Sequence, residues 1–344
     1  MACFREPIAA MAARGWGVDV YTSYQAFHPI PYFDNPSIRL FFFGSTCFDY
    51  LKLVKKIIFR KPRYDWIVAV PQHSLYYAAL AAKISGTKLA CLSDEIYDSR
   101  QTAGRIEKKW KSREISAHQQ CDFTIALDRV RADYVREVNQ LGQAHPIFVV
   151  PNSLPGCSVR LQSRYYQDVL AIPESDKILL HIGSGWWKLD FSQINEVSRG
   201  WKNRTVLVFQ SRYHDSILNG HDKMRINRNV LPYSFLGHAV SSAHIGLAMY
   251  KDTGVNMRLI GLSSGKIALC MKYSLPVITT RLPSLTWVEE EGCGVLVDDI
   301  AQTEAACEKI LSNYEFYVQN VKNYYDRYLD FDKNFLPVLN RLEQ

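Results

Sequence analysis

Short apolar segments alternate with helix-like segments along the first 150 residues. The apolar segments are rich in β-branched and aromatic side chains, which is typical of strands buried in a sheet. Residues 74–86 and 128–142 show helical periodicity, the second with Asp128 as its N-cap and Gly142 at its end. Such alternation predicts a parallel, doubly wound α/β sheet. The predicted strands are VDVYT (18–22), IRLFF (38–42), DWIVAV (65–70), KLACL (88–92), DFTIA (122–126) and PIFVV (146–150).

The alternation stops at VVPNSLPG (149–156), where proline, asparagine, serine and glycine form a turn-rich connector. A second alternating series follows it. We therefore predict two tandem Rossmann-like domains, over 1–150 and 151–313, and a helical tail over 314–344 that packs back on the body. The strands predicted in the second series are KILLHIG (177–183), TVLVFQ (205–210), HIGLAMY (244–250), PVITT (276–280) and GVLV (294–297).

The start of the chain departs from the usual order of a doubly wound domain. Residues 5–15, REPIAAMAARG, are helix-like and lead directly into the first predicted strand. Such a domain normally begins with a strand at the centre of its sheet. We expect that this first strand is missing from the chain, the alternative being an unusual first domain.

Composition indicates a globular protein with large apolar cores. The chain has 344 residues, of which 47% are hydrophobic, and no uninterrupted apolar run long enough for a membrane-spanning helix. Its eight cysteines are scattered singly without a C-x-x-C pair, so a zinc site is not expected and reduced, buried thiols are. We expect a cytoplasmic protein.

The net charge of +7 belongs mostly to the first half, which holds 20 Lys or Arg and 14 Asp or Glu. YLKLVKKIIFRKPR (50–63) has six cations and no acid, and RIEKKWKSR (105–113) has five cations and one acid. Tyr50, Leu53, Val54, Ile57 and Ile58 form an apolar stripe at helical spacing. A basic amphipathic helix of this kind can lie on an anionic membrane surface, and the alternative is an ordinary helix packed on its sheet. Without a recognised motif, nucleic acid is not expected as a partner.

The segment GLSSGK (261–266) predicts an anion site at the start of a helix. A helix that begins near Ser264 leaves its first amides without intrahelical partners and carries partial positive charge there. Ser263 and Ser264 add donors, Gly265 permits close approach of the backbone, and Lys266 adds a cation. These groups suit a diphosphate. The alternative is a simple serine N-cap beside a solvated lysine.

Three further segments resemble those of GT-B glycosyltransferases, especially glycosyltransferase family four, most strongly over residues 145–300. FVVPNSLPG resembles the family's V-(I/V)-P-N-G-V linker, and SSAHIGLAMY its "ssAdigl..Y" strand. SSGKIALCMKYSLPVIT resembles its K-(L/I)-x-E-Y-(M/L)-x-x-G-x-P-V-I signature. Before the linker, AAMAARGWGVDVYT is similar to A-x-x-L-x-x-x-G-H-x-V-x-V-x-T.

This resemblance implies two Rossmann-like domains that face a cleft, with a nucleotide sugar held mainly by the second and an acceptor mainly by the first. Three positions depart from the family pattern. The glutamate that usually holds the donor ribose falls on Leu269, and the glycine before L-P-V-I falls on Ser274. HIGSGWWK (181–188) replaces the strand-end motif with paired arginine and lysine.

Other strand ends supply further candidates for donor binding, because ligands bind α/β sheets at the carboxyl ends of strands. In each case the alternative is a tight turn, a surface loop or strand-end packing. The glycine-rich turn and its lysine would admit and contact a phosphate. Arginine, tyrosine and asparagine at the later strand ends would contact phosphate or sugar. The candidates are Gly183, Ser184, Gly185, Lys188, Arg212, Tyr250 and Asn256.

SDEIYD (93–98) follows a strand of the first domain and offers carboxylates for catalysis. An inverting transfer needs a base that takes the acceptor proton, for which we favour Glu95, then Asp94, with His73 a weaker candidate. Helix capping is the alternative role for the two acids. Lys266 counts as catalytic because donors aimed at a departing diphosphate stabilise the transition state.

The sequence thus predicts a GT-B hexosyltransferase that moves a sugar from a nucleotide diphosphate donor to a glycan or lipid-linked acceptor, in bacterial surface polysaccharide synthesis. No metal or other cofactor is expected, since the positive end of a helix can take the role of a metal. The enzyme would be cytoplasmic and peripheral on the inner face of the plasma membrane. The alternatives are a catalytically silent GT-B partner subunit and a GT-B sugar-nucleotide epimerase.

Overall fold

The chain divides into two compact units. A computed structural model describes residues 2–23, 33–44, 46–101, 104–183, 191–210 and 220–344. The first unit comprises Met1–Asn152 together with Phe331–Gln344, and the second comprises Ser153–Asp330. The predicted tail is therefore shared, since its last helix belongs to the first unit and the rest to the second.

The described strands of the first unit form two parallel sheets. The first two strands pair with each other, and the other four form a sheet in the order β3-β4-β5-β6. All six lie where the alternation predicts them, to within two residues at either end. They are β1 (Val18–Ser23), β2 (Ile38–Phe43), β3 (Trp66–Ala69), β4 (Lys88–Ser93), β5 (Phe123–Ala126) and β6 (Ile147–Val149).

The helices of the first unit connect these strands and cover them. They are α1 (Ala2–Ala13), α2 (Cys47–Ile58), α3 (His73–Ser85), α4 (Arg105–His118), α5 (Arg129–Val138) and α14 (Phe331–Leu342). Asp128 caps α5 as predicted, since its carboxylate accepts from the Val130 amide at 2.8 Å. The predicted end at Gly142 is wrong, because Gln140 adopts a left-handed φ of 53° and stops the helix earlier.

The apolar stripe of α2 has a structural role inside the first unit. Val54 and Ile57 are buried and pack with Tyr77 and Ala81 of α3. Of the two alternatives for this stripe, the ordinary packed helix therefore applies, because the unit's own core covers it. The cations of the basic segment 105–113 are not all on the surface either. Lys111 is buried and forms an ion pair with the buried Glu114 on the same helix.

The second unit contains one parallel six-stranded sheet in the order β12-β11-β10-β7-β8-β9. Five strands match the prediction, whereas β9 was missed because MRIN is only four residues long and two of them are polar. The central strands are buried along nearly their whole length, as expected for a sheet covered on both faces. They are β7 (Lys177–Ile182), β8 (Thr205–Gln210), β9 (Met224–Asn227), β10 (Ile245–Ala248), β11 (Val277–Thr280) and β12 (Gly294–Val297).

Helices and short helical turns connect the strands of the second unit. The α-helices are α6 (Tyr165–Leu170), α7 (Phe191–Arg199), α8 (Leu236–Ser241), α9 (Val255–Arg258), α10 (Gly265–Lys272), α11 (Trp287–Glu290), α12 (Thr303–Ser312) and α13 (Tyr314–Tyr324). Single 3₁₀ turns cover Tyr233–Phe235, Gly261–Ser263, Pro283–Leu285 and Ile300–Gln302, and a π turn covers Tyr325–Leu329.

The turn between α10 and β11 explains one departure from the family signature. Ser274 occupies the glycine position, with a left-handed φ of 62° and its side chain buried. The Leu275 amide donates to the Cys270 carbonyl at 3.0 Å, and the Ser274 amide to the Met271 carbonyl at 3.0 Å. This is a Schellman motif, in which glycine is the usual residue. The serine therefore preserves the backbone turn that the signature requires.

Gly294 at the start of β12 offers a test of this packing. A Cβ there would press on the carbonyl oxygen of Val277, its partner in β11, and lie 2.8 Å from the carbonyl carbon. We expect Gly294→Ala to lower the free energy of unfolding by about 2–3 kcal/mol, measured by urea unfolding. In the matched control Gly200→Ala, the nearest atom would be 3.5 Å away. Equal stability of the two variants would contradict the packing.

Candidate donor-binding site and catalytic carboxylates

The end of β7 and the start of α10 meet in the second unit. Gly183 follows β7 with a left-handed φ of 104°, a conformation that glycine adopts readily. A Cβ placed on Gly183 would lie 4.0 Å from Cε of Lys266. Two candidates that are 83 positions apart in the sequence are therefore neighbours. Lys266 extends back to the carboxyl edge of the sheet, where parallel α/β units bind ligands.

His181 holds the ammonium of Lys266 at this edge. Lys266 Nζ donates to His181 Nε2 at 3.3 Å, and the imidazole is only 1% exposed. Burial and then the neighbouring ammonium hold the pKa of His181 well below its ordinary value. The imidazole is therefore neutral, so it orients the lysine without cancelling its positive charge.

Two serine hydroxyls of the predicted anion site are engaged within the protein. Ser264 caps α10, as its Oγ accepts from the Ile267 amide at 3.1 Å and bonds the Tyr250 hydroxyl. Ser263 Oγ donates to the Ile260 carbonyl at 2.5 Å. Tyr250 itself is 5% exposed. These side chains hold the start of the helix in shape, and their contact with a diphosphate stays a prediction.

The amides at the start of α10 remain the groups best suited to an anion. The helix begins at Gly265, as the sequence predicted to within one residue. Gly265 and Lys266 are the first two residues of α10, so their amides belong to the end of the helix where backbone donors gather. Partial positive charge at this end and the lysine ammonium reinforce each other. The geometry thus combines backbone donors and a cation beside the Gly183 turn.

The remaining predicted donor-side residues lie in α9 or outside the described residues. Asn256 is half-buried within the short helix α9. Leu269, at the position of the family's glutamate, packs against the main apolar cluster of the unit. The predicted contacts of Ser184, Gly185, Lys188 and Arg212 concern positions that lie outside the described residues.

The first unit places its two candidate carboxylates directly after β4. Asp94 is half-buried and Glu95 is exposed. Burial raises the pKa of Asp94 to about 6, an effect that hydrogen bonds from the amides of Glu95 and Asp94 partly offset. Arg131 of α5 is 2% exposed and donates through Nη2 to the Asp94 carbonyl at 2.6 Å. The arginine thereby fixes the turn that carries both acids.

Two residues that support the site, His181 and Arg131, were not predicted, although the sequence contains a weak signal for each. His181 is a polar residue inside the apolar strand KILLHI, and Arg131 occupies a buried position of α5. His73 starts α3, where its ring packs against that of Trp110 in a tilted arrangement, with 4.0 Å between the ring centroids. This contact gives His73 a packing role.

The described residues contain no group of three or more His, Cys, Asp or Glu side chains placed to hold a metal ion. Asp330 and Asp332 form a D-x-D triplet, but Asp330 is 4% exposed and accepts from the Gly156 amide at 3.0 Å. Six of the eight cysteines are buried. Within the described part of the chain, no helix is both long and apolar enough to cross a membrane.

Comparison with solved structures identifies the architecture. Sucrose-phosphate synthase from Thermosynechococcus elongatus superposes with a TM-score of 0.70 at 15% identity, over 99% of this chain and 92% of that one. HepE from Anabaena, in complex with UDP-glucose, superposes with a TM-score of 0.68 at 10% identity, over 89% of this chain and 86% of HepE. The chain has the GT-B fold. A variant of Os79 from O. sativa, in complex with UDP, superposes with a TM-score of 0.64 at 13% identity, over 99% of this chain and 97% of Os79.

The GT-B fold was the fold class that the sequence predicted, and the similarity to GT-B glycosyltransferases is confirmed at the level of structure. Searches with protein-family models and against characterised proteins find no match to the sequence. In this GT-B chain, the Gly183–Lys266 pair belongs to the second unit and the Asp94–Glu95 turn to the first.

Proposed function

We propose that the protein is a glycosyltransferase that moves a sugar from a nucleotide diphosphate-sugar to an acceptor hydroxyl. The observation that carries this proposal is the approach of Lys266 to the Gly183 turn in a GT-B fold. HepE was solved with UDP-glucose, and with UDP and glucose, and Os79 with UDP. A uridine diphosphate sugar is therefore the donor that we propose to test first.

In this proposal, Lys266 and the first amides of α10 bind the donor diphosphate. When the bond between the sugar and the β-phosphate breaks, negative charge develops on the departing nucleoside diphosphate. A fixed ammonium and backbone amides stabilise that charge more strongly in the transition state than in the ground state. His181 keeps the ammonium in position, and its neutral state preserves the net positive charge of the site.

The carboxylates of the first unit are proposed to take the acceptor proton. A general base works best when its pKa lies near the operating pH. Burial brings the pKa of Asp94 to about 6, so we now favour Asp94 over Glu95 as the base. Glu95, which is exposed, would then contact the acceptor or orient it.

The finer assignments rest on the sequence and are part of the same proposal. The acceptor would be a glycan or a lipid-linked glycan, the transferred group a hexose, and the setting bacterial surface polysaccharide synthesis at the inner face of the plasma membrane. The reaction would need no metal. One observation favours a second candidate, a catalytically silent partner subunit, because Leu269 replaces the glutamate that usually contacts ribose and packs, partly buried, against the apolar cluster of the unit.

Thermal unfolding with nucleotides tests donor binding directly. We expect UDP at about a hundredfold above its Kd to raise the melting temperature by roughly 5 °C, because a ligand that binds only the folded state stabilises it. Uridine, which lacks the diphosphate, should produce a much smaller shift. ADP and GDP in parallel would report the base preference.

Two outcomes would separate the candidates. A shift with UDP, together with sugar transfer or slow donor hydrolysis, supports the enzyme. A shift without any turnover across a full set of nucleotide sugars favours the silent subunit. If uridine, UDP, ADP and GDP all leave the melting temperature unchanged, the proposed donor site is wrong.

A further inference from the structure

The outward face of α2 exposes three large apolar side chains. Phe48 is 76% exposed, Leu51 49% and Phe59, directly after the helix, 73%. Single exposed apolar residues are normal on a protein surface. These three, however, follow the spacing i, i+3 and i+11, which places them on one side of the helix. They extend for about 16 Å along it.

Lysines share this side of the helix with the apolar residues. Lys52 and Lys55 are exposed and lie four and seven positions after Phe48. Lys61 and Arg63 follow as exposed residues just after the helix. The one acidic residue of α2, Asp49, bonds the backbone and hydroxyl of Thr46 in a capping box. Its charge is therefore directed at the start of its own helix.

We propose that this surface, the α2 face (Phe48, Leu51, Lys52, Lys55 and Phe59), binds anionic lipid bilayers. Its apolar side chains would enter the boundary between headgroups and acyl chains, while the lysines contact anionic headgroups. The opposite stripe of the helix is already packed on α3, so the helix stays seated in its unit and inserts only this outer face.

The arrangement of charge favours lipid over other occupants. A second copy of the chain would bring Lys52 and Lys55 against the same lysines, which repel one another. Nucleic acid would attract the lysines but would leave three separated apolar side chains without a partner. A bilayer surface satisfies both kinds of side chain at once. The α2 face belongs to the first unit and makes no use of the donor-site residues in the second.

Flotation with lipid vesicles tests the proposal with the full-length chain. We expect it to float with vesicles of phosphatidylcholine containing about one-third phosphatidylglycerol, and not with pure phosphatidylcholine. Lys52→Glu combined with Lys55→Glu should weaken vesicle binding roughly thirtyfold or more. Phe48→Ser combined with Phe59→Ser should weaken it by roughly tenfold or more, without changing the charge.

A matched double variant in the second unit controls for general changes in charge and apolarity. Lys309→Glu with Phe316→Ser alters one exposed lysine and one exposed phenylalanine, and it should float like the native chain. Unchanged melting temperatures would show that all variants fold.

Two results would overturn the proposal. The first is absence of flotation with the anionic vesicles. The second is binding that the lysine changes abolish and the phenylalanine changes leave intact, which would indicate a purely electrostatic site for an acidic partner. Neither result depends on donor binding or turnover, so the α2 face and the donor site are tested separately.

Discussion

Replacing Lys266 with alanine is expected to lower kcat/KM for sugar transfer by roughly a hundredfold to a thousandfold. The ammonium lies at the end of β7, held 3.3 Å from the neutral His181, beside the Gly183 turn. Its removal leaves the departing diphosphate with only the helix amides. The melting-temperature shift with UDP should fall in parallel, because the same ammonium contacts the ground-state diphosphate.

Lys309→Ala provides the matched control, since it removes an exposed lysine from another helix of the same unit. It should retain both UDP binding and turnover. Lys266→Arg should recover part of the activity, as it restores the cation but with a different shape. If folded Lys266→Ala binds UDP and turns over like the native chain, the donor site lies elsewhere.

Asp94→Asn is expected to lower the transfer rate by roughly a hundredfold to ten-thousandfold at neutral pH. A base accepts a proton only as the carboxylate, and the pKa of Asp94 is raised to about 6. The native rate should therefore fall about tenfold per pH unit below pH 6, and the residual rate of the variant should lose this dependence. Initial rates across a pH series, with stability measured at each pH, test both points.

The same substitution should stabilise the protein at neutral pH, by about 1–2 kcal/mol. The folded pKa of Asp94 lies above its unfolded value, so the fold favours the neutral acid. Ionisation therefore costs stability as the pH rises through that interval, and neutral asparagine avoids this cost. A loss of rate together with a gain in stability is the result expected for a catalytic base whose charged form the fold disfavours.

Glu95→Gln is the comparison for Asp94, because it changes the neighbouring carboxylate in the same turn. We expect it to retain most of the transfer rate and the same fall in rate below about pH 6. If Glu95→Gln abolishes transfer while Asp94→Asn does not, the assignment of the base reverses. If neither substitution affects the rate, the base is a different residue.

The strands were the part of the fold that the sequence predicted best. Buried segments such as KLACL and TVLVFQ carry their signal locally, because a strand covered on both faces must be apolar along its length. MRIN (224–227) was missed because this edge strand carries arginine and asparagine. The predicted end of α5 was also wrong, because the left-handed turn that stops the helix is formed by Gln140, and glutamine is not a residue that usually signals such a turn.

The candidate site was predictable in its residue types and less so in its contacts. The S-S-G-K turn and helix start at residues 263–266 were readable from local chemistry. Gly183 and Lys266 are 83 positions apart in the sequence, so only the folded sheet brings them together. Likewise, the sequence could not separate Asp94 from Glu95, because their difference is one of burial.

Local sequence pattern was enough to predict the tandem α/β architecture, the turn-rich connector and the start of the helix that carries Lys266. Each of these depends on apolar periodicity or on turn residues that act over a few positions. Which groups are buried, and which side of a helix stays exposed, depended instead on the packing of the folded chain. Packing on α3 took the regular stripe of α2 into the core and left Phe48, Leu51 and Phe59 exposed among lysines. Burial is a property of neighbours distant in sequence, and for that reason local pattern could not supply it.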